Sequence, residues 1–429
     1  MRKLIVVMVL LVLVLSAFGP GLAAAKNPDL PIEMTGDLGG AAYIIQVPGN
    51  WNGTLLVYAH GYAPDGEAEP EPAFLVADEL LARGYALAAS GYRGTGFNLL
   101  DAIKDTKKLV QHFRRTVGKP ERTVLYGNSM GGSLTIQSME KYPGTYDAGI
   151  PLCAPASGIT RNTSTRFSFA LAYDAAFGWD ESWGAINDVR DDIDFYADVL
   201  FPKTIYELGL SYMPGYPFNK PLWEFARLVS DLPAGGFYEY SGPVDMPPGA
   251  VALTFFMTRT RADIEMKAGG IVSGNEGYVY GLTAAERAYL LGLDPAMDID
   301  GMLASMNAQT GYRTDPWAQA YLNRVDEARG QIHSPVLMVH NIDDPVTPVE
   351  GTTHYARLVA GKGNQALLTR VYSELDGHCN FTEAQLLTFF DAMDAWLDTG
   401  VAPTAASFAG TPDLTVNFEP GPWPQPPAD

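Results

Sequence analysis

The chain has 429 residues, of which 47% are hydrophobic and 18% are charged, so it can bury a sizeable core and is not globally disordered. Its length suits one elaborated domain or two. The formal net charge of -20 repels the phosphate backbone of nucleic acids, and we therefore expect no nucleic-acid partner.

The N-terminal residues have the pattern of an export signal. Arg2 and Lys3 precede an apolar run over residues 4–15, and small residues follow at 23–25. We predict that residues 1–25 are a cleaved signal peptide and that the protein is secreted or periplasmic. No later segment reaches the length of apolar sequence that spans a bilayer, so we expect no stable membrane insertion after signal cleavage.

Short buried strands and amphipathic helices alternate after this signal. The predicted elements are a strand pair over 32–47, strands over 53–59, 85–90, 122–126 and 148–153, and helices over 73–83, 101–117 and 130–142. The alternation returns with strands over 335–340 and 367–371 and helices over 348–359 and 382–397. This rhythm predicts an α/β fold with a mostly parallel sheet flanked by helices. We assign residues 26–155 and 332–399 to this core.

Two segments lie outside that rhythm. Residues 156–331 are rich in Trp, Tyr, Phe, Gly and Pro, and helices are predicted there over 186–200, 222–232 and 283–291, the last opened by a capping-box pattern. Residues 400–429 carry Pro and Gly without a period, which predicts an extended C-terminal tail.

A G-x-S-x-G motif lies between the strand over 122–126 and the helix that follows it. Gly127 and Gly131 flank Ser129, and side chains at either glycine would collide with neighbouring backbone. A sharp turn at this point lifts the serine hydroxyl above the sheet edge, beside the free N–H groups of a helix N-terminus. We therefore predict that Ser129 is a catalytic nucleophile in a nucleophile elbow formed with Gly127 and Gly131.

A serine nucleophile needs a base, and His378 is the candidate that the sequence favours. It lies in the loop between the last predicted strand and the last helix, which opens at the edge of the sheet where ligands bind. The other histidines precede or lie within predicted strands, helices and turns, where packing or surface roles are more common: His60, His112, His333, His340 and His354.

The acid that orients the histidine is predicted in the loop after the strand over 335–340. Asp343 and Asp344 are adjacent there, and only one of them can reach His378. We favour Asp344 because the following Pro345 restricts the turn that aims its carboxylate, and Asp343 remains the alternative.

Two backbone N–H groups complete the predicted site. The loop that follows the strand over 53–59 carries Gly61 and Tyr62, and the N–H groups of Tyr62 and Met130 are expected to form an oxyanion hole. The two cysteines, Cys153 and Cys379, follow strands that end at the same edge of the sheet, and export favours a disulfide between them. Because the sequence has only two cysteines and no H-E-x-x-H motif, we expect no metal site. Attack by a serine that is activated by a histidine needs no cofactor.

Together these motifs resemble the α/β-hydrolase superfamily, and within it secreted bacterial esterase-like serine hydrolases. The similar stretches are 47–55, 60–62, 89–94, 126–132, 151–153, 344–346 and 377–382, and the resemblance covers 40–155 and 315–398. It implies a Ser–Asp–His hydrolase with a large, mainly helical cap (lid) domain, here 156–331, inserted after the sixth strand. Aromatic residues of this cap are expected to form its own core or to line a pocket, namely Trp179, Trp183, Tyr212, Tyr216, Phe218, Trp223 and Trp317.

The function predicted from these residues is that of a carboxylic ester hydrolase acting through an acyl-enzyme intermediate on a small-molecule or polymer ester. A serine aminopeptidase on the same fold is the alternative, and it needs acidic groups in the cap such as Glu207, Asp231 or Glu239. A non-catalytic binding protein with this fold is less favoured, because the sequence offers the complete set Ser129, Asp344 and His378. The oligomeric state stays open.

Overall fold

The computed structural model describes residues 30–63, 70–208, 219–237 and 249–421. The predicted signal peptide, three of the predicted cap aromatics (Tyr212, Tyr216 and Phe218) and Glu239 lie outside these residues. Within the described ranges, no helix combines the length and the apolar composition that crossing a bilayer requires.

Nine of the described strands form one sheet. They are β1 Ile32–Asp37, β2 Ala42–Val47, β3 Thr54–Ala59, β4 Ala86–Ser90, β5 Arg122–Asn128, β6 Ala148–Leu152, β9 Val336–Asn341, β10 Leu368–Ser373 and β11 Leu414–Thr415, and a separate hairpin contains β7 Gly184–Ala185 and β8 Asp188–Val189. The sheet order is β1-β2-β4-β3-β5-β6-β9-β10-β11. Neighbours from β4 to β10 run parallel, whereas β1, β2 and β11 are joined by antiparallel pairing.

Helices of the core cover both faces of this sheet. They are α1 Ala77–Ala82, α2 Leu99–Thr116, α3 Met130–Lys141, α12 Glu350–Gly361 and α13 Glu383–Thr399. Helix α2 buries Ile103, Val110 and Phe113 in one hydrophobic cluster, as its 3.6-residue period predicts. On the opposite face, α13 buries Leu386, Phe389, Phe390, Met393 and Trp396 in another. The predicted fold class, a mostly parallel sheet flanked by helices, is confirmed.

The segment between β6 and β9 is mainly helical. Its helices are α4 Ile159–Phe177, α5 Ile205–Leu208, α6 Lys220–Val229, α7 Gly249–Phe255, α8 Arg261–Ala268, α9 Ala284–Leu293, α10 Ile299–Ala308 and α11 Pro316–Val325, with a 3-10 turn Glu181–Trp183 and π-helical stretches Phe195–Thr204 and Phe256–Thr260. Most of these helices pack around a hydrophobic cluster separate from the two that flank the sheet. The capping box of Thr283 and Glu286 opens α9 as predicted.

Two local predictions differ from the structure. The helix predicted over 186–200 is replaced by the β7–β8 hairpin, and helical structure begins only at Phe195, where the Asp194 side chain accepts a hydrogen bond from the backbone of Ala197. In the tail predicted to be extended, α14 Ala405–Phe408 buries Phe408 and β11 pairs with β10. Burial of apolar side chains against the core orders this part of the tail despite its Pro and Gly content.

Candidate active site

Ser129 lies at the sharp turn between β5 and α3. Its backbone angles are φ 56° and ψ -120°, a conformation that costs free energy for any residue other than glycine. A 3.0 Å hydrogen bond from the Ser129 N–H to the Leu152 carbonyl joins the turn to the end of β6. A Cβ atom at Gly131 would overlap the Ala59 carbonyl, and one at Gly127 would overlap the same oxygen, so both flanking positions require glycine.

His378 joins this serine to an acidic residue from a third part of the chain. Its Nε2 lies 2.9 Å from Ser129 Oγ, and its Nδ1 lies 2.7 Å from Asp344 Oδ2. The three side chains come from the loops that follow β5, β9 and β10. These strands are parallel, so their carboxyl ends bring the loops to one edge of the sheet.

The Asp344 carboxylate is fully buried and has a hydrogen-bond partner at each oxygen. Oδ1 accepts from the backbone N–H groups of Val346 at 2.8 Å and Thr347 at 3.0 Å. Oδ2 accepts from Thr347 Oγ1 at 2.7 Å as well as from His378. Burial alone would raise the pKa of Asp344, yet the charge and hydrogen bond of His378 and the remaining donors bring it below its ordinary value. The carboxylate is therefore ionised beside the imidazole.

The neighbouring Asp343 faces away from His378. Its side chain lies against Gly235 and Asp376, and partial burial together with the charge of Asp376 raises its pKa. The structure thus brings Asp344, and not Asp343, to the histidine.

The loop carrying Gly61 and Tyr62 lies beside Ser129. A Cβ atom built on Gly61 would be 3.5 Å from the Cβ of Ser129, so this backbone passes close to the serine side chain. Met130 is the first residue of α3, where a backbone N–H has no acceptor within the helix. The Tyr62 phenol lies 3.4 Å from Asp263 of α8, which links this loop to the helical segment. The role of the Tyr62 and Met130 N–H groups in an oxyanion hole stays a prediction.

The predicted disulfide between Cys153 and Cys379 is present, with 5.3 Å between the two Cα atoms. It joins the residue after β6 to the residue after His378. Among the described residues, Cys153, His378 and Cys379 are the one group of potential metal ligands that lies close together. Both sulfur atoms of that group are in the disulfide, so neither is available as a thiolate ligand.

Three residues to which the sequence assigned no role at the site surround Asp344. Thr347 Oγ1 contacts Asp344, and it also lies 3.3 Å from His378 Nδ1. His340 is buried, its Nε2 donates to the Thr347 carbonyl over 2.7 Å, and burial lowers its pKa although the charge of Asp344 opposes that effect. The buried Arg166 donates to the Val346 carbonyl over 3.2 Å, and burial lowers its pKa to about 10 with Asp344 opposing. No local motif distinguishes these side chains.

A cavity of about 630 Å³ opens onto Ser129 and His378. Its aromatic wall consists of Tyr62, Phe74, Phe195, Tyr196, Phe255 and Phe256. Of the described aromatics named from the sequence as core or pocket residues, none lines the cavity. Trp183 and Trp223 are buried in the helical segment's own cluster, Trp179 packs against that cluster, and Trp317 is exposed. The sequence could not identify the wall, because aromatic residues are frequent throughout the segment.

Acidic residues also line this cavity, but not the ones named from the sequence. Asp191, Asp192 and Asp194 are exposed along one side of it. Of the predicted candidates, Glu207 binds the Tyr173 hydroxyl, and neither Glu207 nor Asp231 is among the described residues that line the cavity.

Two family models match parts of the chain, and one known protein matches most of it. A family model described as serine aminopeptidase, S33, matches residues 55–177, and one described as TAP-like protein matches residues 306–408. The chain is 24% identical over 421 residues to an o-phthalyl amidase of Xanthobacter agilis, which covers 87% of this chain and 88% of that protein.

The solved structures to which the chain is similar include two esterases. An esterase from Aspergillus oryzae has a TM-score of 0.41 and 15% identity, covering 86% of this chain and 80% of its own. The rice cell wall degrading esterase LipA from Xanthomonas oryzae has a TM-score of 0.38 and 12% identity, covering 83% of this chain and 85% of its own.

Proposed function

Since the chain belongs to the α/β-hydrolase superfamily and is a serine-type hydrolase, we propose that it cleaves carboxylic esters through an acyl-enzyme intermediate. The observation that carries this proposal is the continuous hydrogen-bonded series from Ser129 Oγ through the His378 imidazole to Asp344, which opens onto the cavity. This is the arrangement of nucleophile, base and orienting acid that acyl transfer requires.

In the proposed reaction, Ser129 Oγ attacks the ester carbonyl while His378 Nε2 takes the serine proton. Asp344 accepts the Nδ1–H hydrogen bond, which holds the required tautomer and stabilises the imidazolium that forms. The backbone N–H groups of Tyr62 and Met130 would bind the oxyanion. The alcohol leaves with a proton from His378, and water then hydrolyses the acyl-enzyme by the same route.

We propose that residues 156–331 act as a cap over this chemistry. The support is the composition of the cavity wall, which combines Phe195 and Phe255 of the helical segment with Phe74 of the core. Such a wall excludes water and favours substrates with an apolar or aromatic group.

Active-site labelling tests the proposed nucleophile. A fluorophosphonate probe is expected to label the folded wild-type protein and to leave Ser129→Ala unlabelled. The matched control is Ser133→Ala, one helical turn further along α3, which is expected to keep the label. Failure of the folded wild-type protein to react would favour a non-catalytic binding protein instead.

Amide cleavage is the second candidate. Its support is the side of the cavity that carries Asp191 and Asp194, which suits a substrate ammonium group, together with a relative that is named an amidase. Purified protein should be compared on 4-nitrophenyl esters, aminoacyl 4-nitroanilides and an o-phthalyl amide. We expect the highest kcat/KM on the esters, and a higher value on either amide class would replace the ester proposal.

We also propose that the protein is exported after cleavage of residues 1–25. The support is the Cys153–Cys379 disulfide, because such bonds persist in oxidising compartments. The mass of the protein recovered from the medium or periplasm should correspond to a chain that lacks this segment. Recovery of the full-length chain from the cytoplasm would contradict export.

A further inference from the structure

Asn128 lies directly before the nucleophile and has no role in the proposed triad. It is the last residue of β5, and its side chain is partly exposed on the wall of the cavity that also contains Ser129 and His378. The proposed chemistry requires no particular side chain at this position, so its polar group calls for a separate explanation.

A buried phenol orients the Asn128 carboxamide. The Tyr58 hydroxyl donates to Asn128 Oδ1 over 2.7 Å. The Tyr58 ring is buried beside the rings of Tyr126, at 5.2 Å between centroids, and Phe74, at 6.4 Å. Burial, followed by the charges of Tyr126 and other neighbours, holds the pKa of Tyr58 well above its ordinary value, so the phenol retains the proton that it donates.

This contact leaves the two N–H groups of Nδ2 directed away from Tyr58. Nδ2 lies 3.3 Å from the position of a Cβ atom on Gly61, in the loop beside Ser129. Within the described residues, the bond from Tyr58 is the one hydrogen bond of the Asn128 side chain, and Nδ2 has no acceptor there. A ligand that fills this side of the cavity removes water from Nδ2, and the donor then needs an acceptor on the ligand.

We propose that Asn128 Nδ2 donates a hydrogen bond to a substrate oxygen near the scissile carbonyl. Asn128 is then a specificity-determining residue, and the preferred substrates are acyl compounds with an ether or carbonyl oxygen next to the reacting group rather than a plain hydrocarbon chain. This inference rests on the proposed function. A hydrocarbon in the same position leaves the amide donor unpaired, which is the effect by which hydrogen-bonding sites reject such analogues.

Matched substrates in which one methylene group is replaced by oxygen test the inference. On the acyl side the pair is 4-nitrophenyl methoxyacetate and 4-nitrophenyl butanoate, and on the alcohol side it is 2-methoxyethyl benzoate and butyl benzoate. Each ratio of kcat/KM is divided by the ratio of the hydroxide-catalysed rates, which removes the intrinsic difference in reactivity. We expect the wild-type protein to prefer the oxygen-containing member of at least one pair by about tenfold.

Two substitutions of Asn128 separate donation from packing. Asn128→Leu removes both polar groups at a similar volume, and Asn128→Asp keeps an acceptor for Tyr58 while removing the donor. We expect both to reduce the normalised preference to about one or below, because neither can donate to the substrate oxygen.

A matched pair of tyrosine variants tests the orienting contact. Tyr58→Phe removes the phenol that binds Oδ1 and is expected to lower the preference, since the carboxamide can then rotate. Tyr126→Phe removes a hydroxyl from the adjacent buried ring without touching Asn128 and is expected to keep the wild-type preference.

The outcomes distinguish this inference from the proposed function. A wild-type protein that turns over esters with no normalised preference in either pair overturns the inference alone. The same holds if folded, fluorophosphonate-labelled Asn128→Leu keeps the wild-type preference. A wild-type protein that neither labels nor turns over any ester overturns the proposed function, and this inference with it.

Discussion

Thr347 and His378 bind the same oxygen of the Asp344 carboxylate. Thr347 Oγ1 lies 2.7 Å from Oδ2, the distance at which His378 Nδ1 also lies from that atom. The threonine hydroxyl and the imidazole therefore both donate a hydrogen bond to this negatively charged oxygen. Its position three residues after Asp344 allows the same short loop to supply the acid and one of its donors.

Loss of this hydroxyl is expected to slow the chemical step. We predict that Thr347→Val lowers kcat by about tenfold with a smaller change in KM, because a buried carboxylate loses one of its donors. Thr352→Val is the matched control, since the Thr352 hydroxyl is also buried and hydrogen-bonded but contacts Tyr372 instead of the triad. Steady-state kinetics on a 4-nitrophenyl ester measure the difference, and equal values of kcat for the two variants would contradict it.

The two adjacent aspartates are expected to differ sharply on substitution. Asp344→Asn should lower kcat by about 10⁴-fold, because the amide favours the wrong tautomer of His378. Asp343→Asn should retain most of the activity, since its carboxyl faces Asp376 and not the imidazole. The same kinetic assay compares the two proteins, and a severe loss in Asp343→Asn would assign the orienting role to the other residue.

Removal of the disulfide is expected to lower stability. The bond joins residues separated by 226 positions, so Cys153→Ala/Cys379→Ala should reduce the free energy of unfolding by about 2–5 kcal/mol. Urea denaturation with and without a reductant measures this change. The double variant should not respond to the reductant, and a wild-type protein that is equally unresponsive would show that the bond contributes little.

The buried carboxyl of Asp326 is expected to make the stability of the protein depend on pH. Burial, followed by the charge of Glu327, raises the pKa of Asp326 from 3.8 to about 8. At pH values between these two pKa values, the folded protein keeps a proton on Asp326 that the unfolded chain has released. Asp326 therefore makes the free energy of unfolding fall as pH rises. Below the interval the effect is absent.

The variant Asp326→Asn is therefore expected to become more stable relative to the wild-type protein as pH rises from 5 to 8. The asparagine oxygen can still accept from the Ile159 N–H, which the aspartate binds at 2.9 Å. Urea denaturation at several pH values gives the difference between the two proteins. A difference that is constant or that shrinks with rising pH would be inconsistent with a protonated Asp326.

Much of the core could be predicted from local patterns. Helices α2 and α13 bury the stripes that their 3.6-residue period indicates, and β3 and β9 follow apolar runs. The turn at Ser129 was equally readable, because the G-x-S-x-G motif is a run of five consecutive residues between a strand and a helix. The β7–β8 hairpin was not, since the aspartate-rich stretch around it has no clear period.

The sequence by itself determined the fold class, the elbow around Ser129 and the loop that carries His378, because each depends on neighbouring residues. Only the tertiary structure decided between Asp343 and Asp344, because adjacent side chains point in different directions. The hydrogen bond from His378 goes to Asp344. It also placed Thr347 beside His378, Tyr58 beside Asn128, and the aromatic wall around the serine. Those contacts join parts of the chain that lie far apart, and the packing of helices against the sheet brings them together.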